Sequence, residues 1–230
     1  MPNANDYTTH RRDFLARLAA GSVALGLGTV PSSLHAEPMH RAAGRPGGAP
    51  SPDDWLSGVS GKHRQVLDAV SVNKGMSLIW SMVFLNTHNQ ASELADKDLS
   101  AVTVLRHDAI PIGFQDSIWK KYKLGEAFDV TDPATKKPAE RNPFFHPKQG
   151  ELMLPGMEVE TLIGRGVVFG VCNLATTLFS GMRAEAIGVP KDEAYKEWRA
   201  ALIPGMTLVP SGIWAVNNAQ EHGCSYAYAG

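Results

Sequence analysis

Most of the short motifs that identify an enzyme class are missing from this sequence. It has no G-x-S-x-G turn of a serine hydrolase, no glycine-rich phosphate loop, and neither H-E-x-x-H nor C-x-x-C metal spacing. Ser211 before Gly212 is explained more simply as the amino-terminal cap of a helix. Only two cysteines occur, and the lone pair of His222 and Cys224 is too unspecific to define a metal site. The sequence therefore predicts no metal site and implies no cofactor.

An excess of either charge is also missing. The chain has 22 lysines and arginines against 23 aspartates and glutamates, which gives a formal net charge of -1. Without a basic stripe or interleaved aromatic residues, nothing predicts a nucleic-acid partner. No long apolar run follows residue 36, so the sequence predicts no stable membrane span in the mature chain.

The amino-terminal residues have the pattern of a twin-arginine export signal. Arg11 and Arg12 stand just before an apolar pair, and a mildly apolar stretch covers residues 18–30. A small-residue signal places the expected cleavage after Ala36. An uncleaved membrane anchor is the alternative, but these thirteen residues are fewer than the roughly 20 that span a bilayer. We therefore expect a signal peptide at residues 1–36, contact with the twin-arginine export machinery, and a periplasmic mature protein.

The rest of the chain divides into a linker and one domain. Residues 37–54 are rich in proline, glycine and alanine and have no apolar period, which predicts a flexible linker. Residues 55–230 are enough for one domain with a substantial core and too few for two.

Hydrophobic periodicity divides this domain into alternating strands and helices. Five segments have the alternation or the β-branched composition of strands, namely residues 63–72, 99–105, 167–171, 206–210 and 225–229. Helical spacing covers residues 76–94, 117–128, 159–163, 174–187 and 213–221. The alternation predicts a three-layer α/β/α fold, in which a mostly parallel central sheet of about five strands is covered by helices on both faces. In the helix at 174–187, Leu178, Met182 and Ala186 fall on one face.

Residues 129–156 are predicted to form a long loop, because they are rich in proline and have no apolar period. The neighbouring aromatic residues Phe144 and Phe145 are expected to be exposed in it. Loops of this length inside a compact domain serve as lids, binding loops or subunit contacts, and a disordered insertion is the alternative.

Cys172 is the leading candidate for a reactive residue. It lies where the apolar run VVFGV gives way to a predicted helix, so its thiol is expected at a helix amino terminus. Unpaired backbone N–H groups and the positive end of the helix dipole favour the thiolate, which is the reactive form of cysteine. Free cysteine is also among the most buried residue types, so a structural role in the core is the alternative.

The second cysteine offers two further interpretations. An oxidising compartment permits a disulfide between Cys172 and Cys224, which would contribute on the order of 4 kcal/mol in the chain-entropy model. A permanent bridge would exclude thiol chemistry, whereas a reversible one would make the protein a redox carrier. Both require the two Cα atoms to lie within about 7 Å of each other.

Polar residues follow the predicted strand at residues 99–105. Arg106, His107 and Asp108 come directly after its carboxyl end, which is the edge where α/β sheets usually bind ligands. These side chains are therefore candidates for a site at that edge of the sheet.

Three stretches together resemble the DsrE/DsrF-like family, also called the YchN-like fold: residues 102–116 (VTVLRHDAIPIGFQD), 162–175 (LIGRGVVFGVCNLA) and 208–230 (LVPSGIWAVNNAQEHGCSYAYAG). The resemblance implies a central sheet of about five strands with helices on both sides, and assembly into homo- or hetero-oligomers. It also implies that one cysteine carries sulfur as a persulfide, and Cys172 occupies the position that resembles the sulfur-accepting one. The sulfur-relay members are cytoplasmic, and the export signal and the loop at 129–156 set this chain apart from them.

The leading hypothesis is a periplasmic sulfur carrier or sulfurtransferase. The Cys172 thiolate would take sulfur from a donor, hold it as a persulfide and pass it to an acceptor thiol, with a donor or acceptor protein as partner. Asn173 and the following backbone amides would stabilise the anion, His107 would assist proton transfer, and Arg106 would attract an anionic donor. The rival hypothesis is a non-catalytic binding module or homo-oligomeric assembly module, in which Cys172 belongs to the core and the loop aromatics make partner contacts.

Overall fold

The computed structural model describes residues 54–230. The predicted twin-arginine signal, its cleavage site after Ala36 and residues 37–53 of the predicted linker lie outside the described residues.

Five parallel strands form one central sheet in the order β4-β3-β2-β1-β5. Their bounds are β1 His63–Ala69, β2 Leu99–Leu105, β3 Val168–Cys172, β4 Met206–Val209 and β5 Ser225–Tyr228. The bounds of each strand agree with those of a predicted strand to within a few residues. The predicted fold, a largely parallel sheet of five strands with helices around it, is therefore confirmed.

In the part of the chain that the structure describes, seven α-helices connect or flank these strands: α1 Met76–Ala91, α2 Asp116–Lys121, α3 Leu124–Ala127, α4 Val159–Gly164, α5 Asn173–Ile187, α6 Lys191–Ala200 and α7 Gly212–Glu221. Short 3-10 turns cover Asp54–Leu56, Asn73–Gly75, Asp96–Asp98 and His107–Gly113. No helix among residues 54–230 combines the length and the apolar character that crossing a membrane requires.

Two helical predictions need correction. The single helix predicted at 117–128 is two short helices, because Lys123 between α2 and α3 adopts a left-handed conformation with φ of 51° and interrupts the helical path. Helix α6 was not predicted at all. Its sequence is mostly charged, and only Ala194 and Trp198, one turn apart, are buried, so it has too few apolar positions to show a helical period.

The core lies on both faces of the sheet. Helices α1, α2, α4, α5 and α6 contribute to the larger cluster of buried residues, which contains the fully buried rings of Trp119, Tyr122 and Trp198. We call this side the helix-rich face. The opposite side, the α7 face, is a smaller cluster in which Ala215 and Ala219 of α7 pack with Trp55 and with valines of the sheet. This arrangement gives the three layers of the predicted fold.

The apolar face predicted for α5 points away from the core. Leu174, Leu178 and Met182 are 66%, 58% and 55% exposed, whereas the buried side consists of small residues, among them Ala175 and Ala184. Small side chains let the helix approach the sheet and α6 closely, which leaves the larger apolar side chains outside. We call Leu174, Leu178 and Met182 the α5 stripe.

Residues 129–158 contain no helix or strand beyond an isolated bridge between Thr131 and Pro138. The expectation that both loop phenylalanines are exposed is wrong: Phe144 is 5% exposed, and Phe145 is partly buried. The buried side chain of Asn142 fixes this part of the loop. Its Nδ2 donates to the carbonyl oxygens of Ile112 and Phe114 at 3.0 and 2.8 Å, and its Oδ1 accepts from the Phe144 amide at 3.0 Å.

Candidate functional site

The strand order creates a topological switch point between β3 and β4. These strands are neighbours, but β3 leads into α5 on the helix-rich face whereas β4 leads into α7 on the opposite face. The two connections therefore diverge beyond the carboxyl ends of the strands, which is where open α/β sheets bind ligands. Cys172 is the last residue of β3 and is paired in register with Val209 of β4, so it lies directly at this point.

Cys172 is also the amino-terminal cap of α5. Its Sγ accepts a hydrogen bond from the backbone amide of Ala175 at 3.3 Å, and its carbonyl oxygen accepts one from the Thr176 hydroxyl at 2.9 Å. The residue is 5% exposed. The predicted position at a helix amino terminus is thus confirmed, and the sulfur takes the place that a serine or aspartate oxygen usually fills in a helix cap.

Arg106 lies beside this cysteine and is held by a buried carboxylate. Its Nε and Nη2 donate to the two carboxylate oxygens of Asp68 at 2.6 and 2.9 Å, and the Tyr226 hydroxyl donates to the second of these oxygens at 3.0 Å. Asp68 is 3% exposed. The side-chain hydrogen bond with Asp68 is the largest effect raising the pKa of Arg106; burial lowers this pKa, and the charge of the Asp68 carboxylate raises it further. Leu105 of β2 is paired in register with Val171 of β3, so Arg106 and Cys172 are the next residues along two neighbouring strands.

The amino terminus of α7 packs against the same arginine. Ser211 caps the helix, as predicted, since its side chain accepts a hydrogen bond from the Trp214 amide at 3.2 Å. A Cβ atom at Gly212 would clash with the Cβ of Arg106, so only glycine allows this approach. The first turn of α7 therefore packs on Arg106, and two helix amino termini lie near one fixed cation.

His107 and Asn173 are engaged elsewhere. His107 has φ of 51°, its ring packs edge-on against Phe179 of α5 at 6.0 Å, and its Nδ1 is 3.2 Å from an Asp108 carboxylate oxygen. Its side chain is 64% exposed. The Oδ1 of Asn173 accepts a hydrogen bond from the Tyr195 hydroxyl of α6 at 2.8 Å. Of the four predicted site residues, the structure therefore brings Arg106 close to Cys172. Asn173 directly follows Cys172, but its side chain is hydrogen-bonded to α6, and His107 packs against the side of α5.

Asp68 and Tyr226 were not identified from the sequence. One signal was present: Asp68 is a charged residue inside the apolar run of β1, on the same face of the strand as the fully buried Val66. A buried carboxylate requires a partner, and the arginine at the end of the next strand supplies it.

The two cysteines are not joined, and the sheet keeps them apart. Cys172 is the last residue of β3 whereas Cys224 precedes the first residue of β5, and the strands β2 and β1 lie between β3 and β5. Three strand spacings of about 4.8 Å alone separate them by about 14 Å, twice the distance that a disulfide tolerates. The structural bridge and the reversible redox pair are therefore both wrong. Burial raises the pKa of the Cys224 thiol, an effect that the charge of Arg64 partly offsets.

The fold and this site define an α/β protein in which a cysteine at the switch point of a parallel sheet caps the following helix. No protein-family model matches the chain, and no curated protein matches it. Among solved structures, the chain is similar to MTH1491 from Methanobacterium thermoautotrophicum, described as a protein of unknown function, with 16% identity and a TM-score of 0.36. The match covers 73% of this chain and 99% of that one. Within residues 54–230, no group of three histidine, cysteine or acidic side chains could hold a metal ion.

Proposed function

We propose that this protein carries sulfane sulfur on Cys172, as an exported protein of the DsrE/DsrF-like type. The observation that carries the proposal is the hydrogen bond from the Ala175 amide to the Cys172 Sγ at the amino terminus of a 15-residue helix. An amide donor and the positive end of the helix dipole both favour negative charge on that sulfur. The same groups would stabilise the terminal sulfur anion of a persulfide.

The transfer would proceed as two exchange steps without net oxidation. The Cys172 thiolate attacks the outer sulfur of a donor persulfide, forming a new S–S bond while the donor leaves as a thiolate. The thiolate of an acceptor then attacks the outer sulfur of the Cys172 persulfide and forms a new S–S bond with it. The bond between this sulfur and Cys172 breaks, and Cys172 leaves as a thiolate again. Arg106 supports both steps electrostatically, because a fixed guanidinium near the sulfur attracts an anionic donor and stabilises the anions that form.

We propose that this chemistry takes place in the periplasm, with a donor or acceptor protein as the partner. Arg11 and Arg12 support that location, since the twin-arginine route carries folded proteins across the membrane. We assign no proton transfer to His107, because its side chain is 64% exposed and its ring contacts Asp108 and Phe179.

The experiment is an intact-mass measurement after incubation with glutathione persulfide. The parent protein and a Cys224→Ser variant should each gain one sulfur atom, about 32 Da, which a small dithiol removes. A Cys172→Ser variant should gain none. Equal sulfur uptake by Cys172→Ser, or loss of uptake in Cys224→Ser only, would contradict the proposal. The control is well matched, because Cys172 and Cys224 are 5% and 6% exposed.

A second candidate function is homo-oligomeric assembly, which the α5 stripe favours. Three large apolar side chains in successive turns of one helix are exposed together next to the site, a pattern that marks association surfaces. Light scattering should give a mass above that of one chain for the parent and a lower mass for Leu178→Lys. Leu154→Lys, at a 40% exposed loop leucine, should behave as the parent. A monomeric parent would exclude this candidate.

A further inference from the structure

A cavity lies between the turn after β1 and the long loop, and Cys172 is not among the residues that line it. It has a volume of about 620 Å³, within the range of small-molecule sites. One wall is the turn that follows β1, and the other is formed by residues of the loop at 128–153. Phe128 lines the cavity and packs against Phe179 of α5 at 5.0 Å between ring centroids, so an aromatic wall stands between the cavity and that helix.

The inner surface of this cavity is mainly apolar. Val72, Val130 and Phe144 are buried and line it, with Phe128 and Leu152 partly buried beside them. An apolar interior with a few polar groups at its edge is the usual composition of a site for a small organic molecule.

Unusual backbone conformations concentrate at the same place. Eight residues other than glycine have positive φ among residues 54–230, and four of them line this cavity: Asn73, Lys74, Asp129 and Lys136. Such conformations cost free energy and collect where a binding site needs side chains in fixed directions. They hold both lysines and the aspartate at the rim.

Ion pairs and hydrogen bonds within the loop stabilise the part of it that forms the cavity. The guanidinium of Arg141 pairs with the carboxylates of both Asp132 and Glu151, and Glu151 also accepts from the Lys148 amide at 2.7 Å. Burial alone would raise the pKa of Glu151, but the Lys148 amide and Arg141 together hold it below its usual value. Glu151 therefore stays ionised and paired, and its charge is not available to a ligand.

Besides Glu151, the charged side chains at the cavity are two cations, Lys74 and Lys136, and two anions, Asp108 and Asp129. Lys74 and Lys136 form no ion pair within residues 54–230, and neither does Asp129. The carboxylate of Asp108, which also lines the cavity, is 3.2 Å from the ring of His107. Lys74 and Lys136 are therefore the groups at this rim that can pair with a negative charge on a ligand.

We propose that this cavity binds an amphiphilic organic acid, with its apolar body against the buried side chains and its carboxylate or sulfonate between Lys74 and Lys136. Asp129 opposes the anion and accepts a hydrogen bond from a hydroxyl or amine of the ligand. This site is independent of the proposed sulfur chemistry.

The test is titration of the full mature protein with anilinonaphthalene sulfonate, a dye with apolar rings and one sulfonate. Replacing both lysines, Lys74→Ala with Lys136→Ala, should weaken dye binding about tenfold, and Asp129→Asn should strengthen it about twofold. Met153→Trp, which places a bulky ring at the mouth of the cavity, should abolish most of the binding. The control is Lys97→Ala, since Lys97 is an exposed lysine before β2 at the opposite edge of the sheet.

The changes in dye binding distinguish the proposed site from its alternatives. Dye binding that is unchanged in the double-lysine variant, or weakened equally by Lys97→Ala, would overturn the assignment of the anion. Binding unaffected by Met153→Trp would show that the dye occupies another surface such as the α5 stripe, and would overturn the site itself. Octanoate should displace the dye at lower concentration than octanol, and equal displacement would contradict an acid as the ligand.

Discussion

Arg106 and Asp68 form a two-pronged ion pair at the carboxyl edge of the sheet, with donor–acceptor distances of 2.6 and 2.9 Å. Asp68 is buried, and a quarter of the Arg106 side chain is exposed. Asp68→Asn keeps the size of the side chain but leaves the guanidinium without its countercharge, so we expect the free energy of unfolding to fall by roughly 2 to 3 kcal/mol. Urea unfolding measures the change.

The matched comparison for this pair is Glu140→Gln. Glu140 pairs with Lys120 at 2.9 Å, but both side chains are largely exposed, so its loss should leave the urea midpoint at the parent value. Equal effects of Asp68→Asn and Glu140→Gln would show that the Arg106 pair contributes no more than an ordinary surface contact.

Asp68→Asn should also change the reactivity of Cys172. The carboxylate of Asp68 partly neutralises Arg106, and removing it strengthens the positive potential at the neighbouring sulfur. More thiolate should then be present at neutral pH, and the rate of alkylation at Cys172 should rise severalfold. Peptide mass spectrometry after timed iodoacetamide treatment measures that rate. A slower rate in Asp68→Asn would mean that Arg106 does not act on the sulfur through its charge.

In the parent protein, the two cysteines should alkylate at clearly different rates. Both are almost equally buried, but Cys172 accepts an amide hydrogen bond at a helix start whereas burial raises the pKa of Cys224. We expect native Cys172 to be labelled at least about tenfold faster at pH 7. After unfolding in guanidinium, the two rates should converge. If Cys224 is labelled first in the native state, the structural interpretation of Cys172 is favoured over a sulfur-carrying role.

The strands of this fold are predictable because each is a short alternating or β-branched run, and β2 matches its predicted bounds at both ends. The site is less predictable. Cys172 and its helix follow each other along the chain, so their relation is local, whereas Asp68 and Tyr226 meet Arg106 only because β1 lies between β2 and β5. No local pattern encodes that strand order. The exposure of the α5 stripe also depends on which neighbours the helix packs against.

Asn142 should determine whether the long loop stays in place. Its buried side chain makes three hydrogen bonds, and Asn142→Ala removes all of them from the Ile112 carbonyl, the Phe114 carbonyl and the Phe144 amide, although the Phe114 carbonyl still accepts from Trp119 Nε1 at 3.1 Å. We expect a loss of about 2 to 4 kcal/mol of stability and faster proteolysis within residues 129–156. Asn217→Ala is the control, since Asn217 is exposed and bonds only to Glu221 at 2.9 Å. A loop that is cut equally fast in both variants would show that Asn142 does not hold it.

Tyr122 should make the protein sensitive to alkali. Its ring is fully buried and its hydroxyl donates to a Glu197 carboxylate oxygen at 2.9 Å, and burial first, then Glu197, raise the pKa of Tyr122 well above its usual value. Because the unfolded chain releases this proton near pH 10 and the folded chain does not, the contribution is complete below about pH 10 and is lost as the pH rises further. The loss should approach 1.4 kcal/mol per pH unit between about pH 10 and 12. Tyr122→Phe should be less stable than the parent at pH 7, by about 1 kcal/mol for the lost hydrogen bond, yet lose stability more slowly above pH 10. Urea unfolding across this pH range compares the slopes, and parallel profiles for the two proteins would show that Tyr122 ionises equally easily in the folded and unfolded chains.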